Sequence, residues 1–527
     1  MVEGIGDEGG RVFGRDAQRN NILAARVVSE TIKTTLGPKG MDKMLVDRAG
    51  GIIVTNDGVT ILEEMEIEHP AAKMIVEIAK TQEKEVGDGT TTAVMLAGKF
   101  LENAEKLLDQ KIHPTIITRG YRWANEKAQE ILKEISVEIN SEEELIKVAQ
   151  TAMTGKGSEY LKEKFSEIVV EAVKIVSEKG KVNLEDIKIE KQIGGSIEDS
   201  DLIKGVVLDS LKINLNMPLV VEGAKIALVE EALEIRSLET EAKISISMPD
   251  QLQSFLNQED AILRDKVKKI KSTGANVLFV QRGIDETVSF YLAKEGIYAV
   301  KRVSKEDMRR LAKATGAKVV SKLSEIESSN LGFSSLVEER NDGEEARTYV
   351  TGCKNPKAIT ILIRGGTQHV VDEVQRAIHD ALGDVSATLK DSKVVAGGGA
   401  VEIELSIRLK EFAKTIKGRE RLAIEEFASA LEFIPATLAE NAGMDPLDVL
   451  TELRAIHDSG GKNSGLNLFS GRVEDTMMKG IIEPLKVKTQ AIASASEVAV
   501  MILRIDDVIA AKRLGPKGDL GHMGTYE

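Results

Sequence analysis

The spacing of hydrophobic residues changes twice along the chain. Residues 16–35 place apolar side chains three or four positions apart, which predicts an amphipathic helix that ends at the LGPKG sequence of residues 36–40. Helical spacing returns from Pro70, and a further helix is predicted to begin at the GDGTTT sequence of residues 87–92. After residue 400 the pattern is again mostly helical. Both ends of the chain are therefore predicted to be largely α-helical.

The middle of the chain has a different pattern. Between residues 277 and 320, short apolar segments alternate with helical segments, which predicts a small parallel α/β domain. A long helix is predicted just before it, over residues 248–274, and its apolar stripe consists of Leu252, Leu256, Leu263, Val267 and Ile270. The first turns of this helix have two interpretations. Leu252, Phe255 and Leu256 either pack in the core or form an exposed apolar tip.

Length, charge and composition narrow the class of protein. The 527 residues suggest about three domains. A net charge of −14 disfavours a nucleic-acid partner, although a local basic stripe stays possible, and an aromatic content of 3% disfavours base stacking. The N-terminus does not resemble a signal peptide, and no apolar run approaches the roughly 18 residues of a membrane span. We therefore predict a cytoplasmic protein without nucleic-acid or membrane partners.

The single cysteine and the scattered histidines predict neither a disulfide framework nor a zinc site. Cys353 excludes an internal disulfide and fits a reducing compartment; it is either a small packed residue or a reactive thiol. The six histidines lack the HExxH and CxxC spacings of zinc sites. The sequence also lacks the Walker, protein-kinase and nucleophile-elbow motifs.

Four glycine-rich segments carry the candidate chemistry. They are LGPKG at 36–40, TNDGVT at 55–60, GDGTTT at 87–92 and AGGGA at 396–400. Each alone is compatible with an ordinary turn, but together they predict a phosphate-binding site, because glycine allows close backbone approach and helix N-termini favour anions. A second LGPKG, at 514–518, stands in a polar tail without a following helix and is predicted to have no such role.

Two aspartates in these segments suit phosphoryl hydrolysis. Such a reaction needs carboxylates that hold Mg²⁺ and orient water, and Asp57 and Asp88 supply them. Read singly, either residue could equally be a carboxylate that caps a turn.

The order of the motifs resembles one family across nearly the whole chain. From about residue 16 to residue 512 the sequence contains LGPKGMDKMLVD, TNDGVTIL, VGDGTTTAVMLAG, TAMTGKG, LIRGGT, AGGGAVEIELSIRL, LAENAGMDP, IIEPLKVK and MILRIDDVIAAK. This series is similar to that of the group II chaperonin subunits of archaea, the thermosomes. The resemblance departs after Met217-Pro218, where relatives have basic residues and this chain has Leu219-Val220, and in a tail without Gly-Met repeats.

The resemblance implies ATP and Mg²⁺ as cofactors, and it assigns roles to single residues. Asp88 is implied to bind Mg²⁺, while Asp57 and Asp380 position and activate the attacking water; helical periodicity alone places Asp380 on the polar side of its helix. Lys156 reaches the γ-phosphate region and Glu483 accepts from the ribose hydroxyls. The implied nucleotide-binding residues are Thr35, Leu36, Gly37, Pro38, Asp88, Gly89, Thr90, Thr91, Thr92, Lys156, Gly398, Asn467 and Glu483.

The implied fold is multidomain, with α+β and α/β parts. A mostly helical equatorial ATP-binding domain is expected at 1–143 and 397–527, with a disordered tail from about residue 513. A small intermediate hinge domain is expected at 144–205 and 358–396, and an apical α/β domain with a helical lid protrusion (about 243–272) at 206–357. Because phosphate-site motifs lie at 36–92 and again at 397–483, the two ends of the chain must fold together.

The implied function is ATP-driven protein folding. Two stacked rings, of about eight or nine subunits each, would capture unfolded polypeptides and enclose them beneath a built-in lid, with Leu252, Phe255 and Leu256 exposed in the open state. Two alternatives stay open from the sequence alone: a metabolic ATPase or kinase, and a passive scaffold. The carboxylates Asp57 and Asp380 argue against the scaffold, which would not need them.

Overall fold

The chain divides into two compact units: the two ends of the chain form one, and the middle of the chain forms the other. The computed structural model describes residues 12–46, 48–139, 141–155, 161–178, 180–235, 249–341 and 346–509. Unit 1 comprises Met1–Glu138 and Lys393–Glu527, and unit 2 comprises Ile139–Ser392. The prediction that the two ends of the chain fold together is therefore confirmed.

The described helices and strands follow one another in a mixed order. The helices are α1 Gly14–Lys33, α2 Gly58–Glu64, α3 Pro70–Glu85, α4 Thr90–Asp109, α5 Pro114–Ile135, α6 Glu142–Met153, α7 Lys162–Val176, α8 Pro249–Ser272, α9 Glu286–Lys294, α10 Lys305–Thr315, α11 Gln368–Asp391, α12 Ala400–Thr415, α13 Glu420–Leu431, α14 Phe433–Asn441, α15 Pro446–Asp458 and α16 Leu485–Leu503. The strands are β1 Val12–Phe13, β2 Lys43–Val46, β3 Ile52–Thr55, β4 Val137–Glu138, β5 Ile187–Ile193, β6 Asp201–Ile203, β7 Gly205–Leu208, β8 Val220–Val229, β9 Val277–Val280, β10 Tyr298–Val300, β11 Val319–Val320, β12 Gly332–Asn341, β13 Ala346–Thr351, β14 Ile359–Gly365, β15 Lys393–Ala396, β16 Ser464–Asn467, β17 Arg472–Asp475, β18 Ile482–Pro484 and β19 Asp507–Val508.

Unit 1 is built around α4, the helix that follows GDGTTT. Apolar residues surround α4 on nearly every side, and α1, α3, α13 and α16 pack against it. A helix that is apolar all round belongs in a core. Phe100 of α4 stacks on Phe427 with ring centroids 4.1 Å apart, and the Tyr121 hydroxyl donates to the Phe100 carbonyl oxygen at 2.7 Å. Helix α4 is thus packed into the core of unit 1.

A small sheet in unit 1 positions the triple-glycine motif of residues 396–400. Strand β15 pairs with β4 and β18, all antiparallel, and leads through Gly397–Gly399 into α12. Strands β16 and β17 form a separate antiparallel hairpin. These strands bring residues 396–400 and Glu483 side by side, because Val395 is the register partner of Glu483.

The larger sheet of unit 2 is mixed. The prediction of parallel strands and connecting helices over residues 277–320 is confirmed, because β9, β10 and β11 lie in parallel pairs with α9 and α10 as connections, and β8, which was not predicted, is the parallel partner of β9 and β11. Strands β12, β13 and β7 join the same sheet in antiparallel pairs. An antiparallel neighbour needs only a short connection. The polar GFSSLVEERN sequence of β12 lacks the regular apolar alternation that predicts a strand.

A second, smaller sheet in unit 2 supports α11, which carries Asp380. Strand β14 lies between β5 and β6, and α6, α7 and α11 pack around the same core. The expectation that Asp380 lies on the polar side of its helix is wrong: Asp380 is only 7% exposed. From Ala377 to Val385 every residue except His379 is buried, so the buried face is wider here than a stripe read from the first turns predicts.

Helix α8 occupies most of the predicted lid protrusion. Leu263, Val267 and Ile270 are buried, as the predicted stripe requires. Phe255 is 37% exposed, which agrees with the apolar-tip interpretation. The side chains of Leu252 and Leu256, residues 243–248 and the second LGPKG sequence lie outside the described residues.

Two composition-based expectations can be compared with the structure. Within the part of the chain that the structure describes, no helix combines the length and the apolarity that a membrane crossing needs. Cys353 is half-buried, and burial raises the pKa of its thiol to about 11. A thiol with so high a pKa is not a reactive thiolate at neutral pH, so the packed-residue interpretation is favoured.

Candidate nucleotide-binding site

Two helices of unit 1 begin in a way that suits an anion. Helix α4 follows Gly89 (φ 78°) and α12 follows Gly399 (φ 80°), and neither glycine can offer a side-chain cap. The left-handed backbone at both positions favours glycine. No capping side chain from these glycines therefore closes either helix start, and the helix dipole favours an anion such as phosphate at both.

Close glycine contacts bring the predicted motifs together. A Cβ atom on Gly58 would lie 2.6 Å from Oγ1 of Thr91, so the Asn56-Asp57-Gly58 turn packs directly on the first turn of α4. A Cβ atom on Gly89 would lie 2.7 Å from Cγ1 of Val487, at the start of α16. Such approaches are possible only without a side chain, so the motifs at 55–60 and 87–92 share one location with the start of α16.

The first LGPKG sequence is an ordered turn beside the β16–β17 hairpin. Gly37 has a φ of 80°, and a Cβ atom there would clash with the Leu438 side chain and lie 3.6 Å from Cδ1 of Leu468. The Gly40 N–H donates to the Gly37 carbonyl oxygen at 2.9 Å. Just after the end of α1, the Thr35 hydroxyl donates to the Ile32 carbonyl oxygen at 2.8 Å. Leu36 and Pro38 therefore lie in a turn whose conformation is fixed from both sides.

Asp57 caps α2 as the local turn chemistry allows. Its Oδ2 accepts from the Thr60 backbone N–H at 2.9 Å and from the Thr60 hydroxyl at 2.6 Å. Its own N–H donates to Oγ1 of Thr55 at 3.1 Å. The capping interpretation thus holds for Oδ2, and the catalytic role of Asp57 stays a prediction.

Asp88 is anchored at the N-terminus of α4. Its Oδ1 accepts from the Gly89 N–H at 2.7 Å, and its carbonyl oxygen accepts from Nε2 of Gln82 at 2.8 Å. A carboxylate beside the hydroxyls of Thr90 and Thr91 offers the oxygen ligands that Mg²⁺ prefers. The donor set around Asp88 therefore fits this ion.

Gln82 was missed by sequence reasoning. It is fully buried, and Nε2 also lies 3.3 Å from the Val487 carbonyl oxygen, so it ties α3 to α16. A signal was present, because Gln82 follows Ile75, Ile78 and Ala79 at helical spacing on the buried face of α3. A polar residue at such a position needs internal partners.

The triple glycine is fixed against the hairpin that contains Asn467. Gly398 has a φ of 66°, and its carbonyl oxygen accepts from the Leu466 N–H at 2.8 Å. The Asn467 side chain shapes its own turn: Oδ1 accepts from the Phe469 N–H at 3.0 Å and Nδ2 donates to Oε1 of Glu474 at 2.6 Å. These bonds hold the loop, and a direct nucleotide contact by Asn467 stays a prediction.

Glu483, which is half-buried, pairs with the buried Lys488, which in turn pairs with the buried Glu402. Nζ of Lys488 lies 2.8 Å from Oε2 of Glu483 and 2.9 Å from Oε1 of Glu402. Burial raises the pKa of Glu483, and Lys488 opposes that shift. Lys488 and Glu402 were missed, although Lys488 lies with Leu485 and Ile492 on the buried face of α16, where a lysine needs an anionic partner.

The remaining predicted residues lie outside unit 1. Asp380 belongs to α11 of unit 2, and a second buried carboxylate, Asp384, follows one turn later with 2% exposure. Lys156 lies outside the described residues. The predicted partnership of Asp57 with Asp380 therefore stays a prediction.

Unit 2 contains an ionic cluster where its two sheets meet near Gly205. Lys188 lies 3.0 Å from Glu190, and Arg347 lies 3.6 Å from Glu190 and 3.4 Å from Asp209. Burial and a hydrogen bond with Asp209 raise the pKa of Glu190 to about 7. The junction between the small and the large sheet is thus polar and sensitive to protonation.

Comparison with known proteins decides the family. Residues 28–513 match the TCP-1/cpn60 chaperonin family. The chain belongs to this family. It is 57% identical over 524 residues to thermosome subunit beta of Archaeoglobus fulgidus, covering 98% of this chain and 96% of the relative. It is also 57% identical over 510 residues to the thermosome subunit of Methanopyrus kandleri, covering 96% and 94% of the two chains.

A solved structure agrees with this family assignment. The open-state monomer of a group II chaperonin from Methanococcoides burtonii matches with a TM-score of 0.60 and 48% sequence identity, covering 80% of this chain and 100% of that one. The resemblance to group II chaperonins and the multidomain fold class are confirmed. The chain is a group II chaperonin subunit, an ATP hydrolase that assists protein folding, and the kinase and scaffold alternatives are excluded.

Proposed function

We propose that this chaperonin subunit binds Mg-ATP in unit 1, between the N-termini of α4 and α12. The observation that carries the proposal is that α16 joins the two helix starts. A Cβ atom on Gly89 would lie 2.7 Å from Cγ1 of Val487, and the next residue, Lys488, pairs with Glu402 in the first turn of α12 at 2.9 Å. The phosphates contact the N–H and hydroxyl groups of Thr90, Thr91 and Thr92. The turn of Thr35, Leu36, Gly37 and Pro38, together with Gly398, Asn467 and Glu483, surrounds the nucleoside.

Asp88 holds the metal in this proposal. The bound Mg²⁺ supplies neutralisation of phosphate charge. The hydrogen bond from the Gly89 N–H to Oδ1 of Asp88 fixes the carboxylate at the start of α4. Removing the carboxylate should therefore weaken metal-dependent nucleotide binding more than it disturbs the fold.

Asp57 and Asp380 act on the attacking water. One oxygen of Asp57 is held by Thr60, which fixes the orientation of the carboxylate toward the water. Asp380 accepts the proton as general base, and Lys156 contacts the γ-phosphate. Because Asp380 is a residue of unit 2, hydrolysis requires that it reach the water in at least one state of the cycle.

Subunits assemble through short β-structures of unit 1. Strands β2 and β3 form a two-stranded hairpin whose apolar side chains are largely exposed: Met44 by 66%, Val46 by 65% and Ile52 by 51%. Strands β1 and β19 form a second two-stranded sheet. Two-stranded sheets are marginal alone, and exposed apolar groups call for a partner. We therefore place both at contacts within two stacked rings of about eight or nine subunits.

Unfolded polypeptides are captured by the apical part of unit 2. This apical domain spans 206–357, and its protrusion at about 243–272 forms the lid, with Phe255 exposed on α8. The intermediate domain comprises 144–205 and 358–396, and the equatorial domain 1–143 and 397–527. The cycle takes place in the cytoplasm, without nucleic-acid or membrane partners.

Refolding by the assembled protein tests the proposal. A denatured model enzyme should recover activity above its spontaneous yield only with Mg-ATP, and the native mass should approach a megadalton. Limited proteolysis should cut the 243–272 segment in the absence of nucleotide, and ATP with a γ-phosphate mimic should protect it, while ADP should not. Unchanged cleavage would remove the lid role, and a monomeric mass would remove the rings.

A further inference from the structure

Lys488 is a buried lysine whose function the proposed hydrolysis does not explain. It is 5% exposed, in the first turns of α16, and its ammonium bridges Glu483 at 2.8 Å and Glu402 at 2.9 Å. Burial lowers the pKa of a lysine, yet Glu402 and Glu483 outweigh burial here and raise the pKa of Lys488. The group is thus a fixed buried cation between two acids.

Lys488 connects the elements that surround the candidate nucleotide site. Glu402 lies in the first turn of α12, directly after the triple glycine, and Glu483 lies in β18. Val487, the residue before Lys488, accepts a hydrogen bond from Gln82, which also donates to the Asp88 carbonyl oxygen. A buried ion pair rarely adds stability over apolar packing, so this arrangement favours a role in orientation.

The two oxygens of Glu483 face different surroundings. Oε2 contacts the Lys488 ammonium, whereas Oε1 lies 3.0 Å from the position that a Cβ atom on Gly397 would occupy. Glu402 is also engaged by one oxygen only: its Oε2 is buried without a hydrogen-bond partner among the described residues. Lys488 therefore determines which oxygen of Glu483 is directed to the triple glycine.

We propose that Lys488 is a positioning residue that selects ribonucleotides by fixing Glu483 toward the ribose hydroxyls. The inference rests on the proposed ribose contact of Glu483. An acceptor that a buried cation holds in one orientation discriminates against an analogue that lacks the hydroxyl, since the acceptor then loses its partner. A mobile Glu483 would bind ATP and deoxy-ATP with similar affinity.

The test compares the affinities of ATP and of its 2′-deoxy and 3′-deoxy analogues for the assembled full-length protein, by calorimetry. In Lys488→Met we expect ATP affinity to fall by about tenfold or more, the scale of one charge-assisted hydrogen bond, while the affinity for the analogue lacking the contacted hydroxyl changes little. Lys488→Arg should restore part of the discrimination. Lys410→Met, which removes a lysine paired with Glu432 at 2.7 Å in the same unit, should leave all three affinities unchanged.

The outcomes separate this inference from the proposed function. If Glu483→Gln weakens ATP and both analogues equally, the ribose contact itself fails. A second outcome overturns the inference alone. It is the case in which Glu483→Gln weakens ATP more than the analogue that lacks the contacted hydroxyl, whereas Lys488→Met weakens all three nucleotides equally. Lys488 would then have only a structural role. Should Lys488→Met not assemble, the double variant Lys488→Met/Glu402→Gln removes the buried pair, leaves Glu483 without its cation, and is subject to the same two outcomes.

Discussion

The substitution Gly398→Ala probes a tightly constrained backbone position of the candidate site. Gly398 has a φ of 66°, and an added Cβ atom would lie 2.6 Å from the carbonyl oxygen and 3.1 Å from the backbone nitrogen of Leu466. These neighbours are backbone atoms and cannot turn aside as a side-chain end would. The β16–β17 hairpin must therefore move away from the triple glycine.

The expected cost has two parts. A left-handed conformation costs an alanine about 1–2 kcal/mol. Displacing Leu466 also weakens the bond from its N–H to the Gly398 carbonyl oxygen, now 2.8 Å, which contributes about 1 kcal/mol. We expect a loss of roughly 2–3 kcal/mol in the free energy of unfolding of unit 1.

Gly443→Ala is the matched control. Gly443 has a φ of 74°, but an added Cβ atom there meets nothing within 4 Å, so only the backbone strain remains. Both substitutions lower the conformational entropy of the unfolded chain by the same amount. This stabilising contribution therefore cancels when the two free energies of unfolding are compared. The difference between the two variants should thus be about 1 kcal/mol or more.

The assay is nucleotide titration together with denaturant unfolding at one protein concentration. Gly398→Ala should weaken ATP binding by about tenfold or more, since each 1.4 kcal/mol is tenfold in affinity. Gly443→Ala should bind ATP as the unmodified protein does. Equal ATP affinities in the two variants would show that the triple glycine does not contact the nucleotide.

Three further predictions concern single acids. Asp88→Ala should weaken Mg-dependent ATP binding, and a titration with unaltered affinity would refute its metal role. Asp380→Ala should still bind ATP while single-turnover hydrolysis falls on the order of 10²-fold, the scale of a lost general base; unchanged turnover would remove Asp380 from the mechanism. Because burial raises the pKa of Glu190 from 4.5 to about 7, folded unit 2 retains a proton that the unfolded chain releases. Stability should therefore fall as pH rises from about 5 to 8, and Glu190→Gln should abolish this slope in thermal unfolding.

The local features of the site were predictable from sequence. Turn chemistry around Asp57 and a helix start at Thr90 depend on neighbouring residues, and both are present in the structure. That both ends of the chain fold into one unit also followed, because phosphate-site motifs occur at 36–92 and again at 397–483. The family resemblance supplied roles, which local chemistry alone left undecided between caps and ligands.

The features that sequence reasoning missed depend on packing between distant segments. Asp380 is buried because its helix is covered on a broader face than its first turns indicate. Lys488 and Glu402 find each other across 86 residues, and neither belongs to a glycine motif. The antiparallel strands of the larger sheet likewise follow from pairing partners that a single segment does not specify.

The most direct test of the account is the structure of the assembled protein with Mg²⁺ and a non-hydrolysable ATP analogue. We expect the triphosphate at the N-termini of α4 and α12, with the metal on Asp88 and the ribose beside Glu483. A nucleotide bound away from Gly89 and Gly398 would contradict the account.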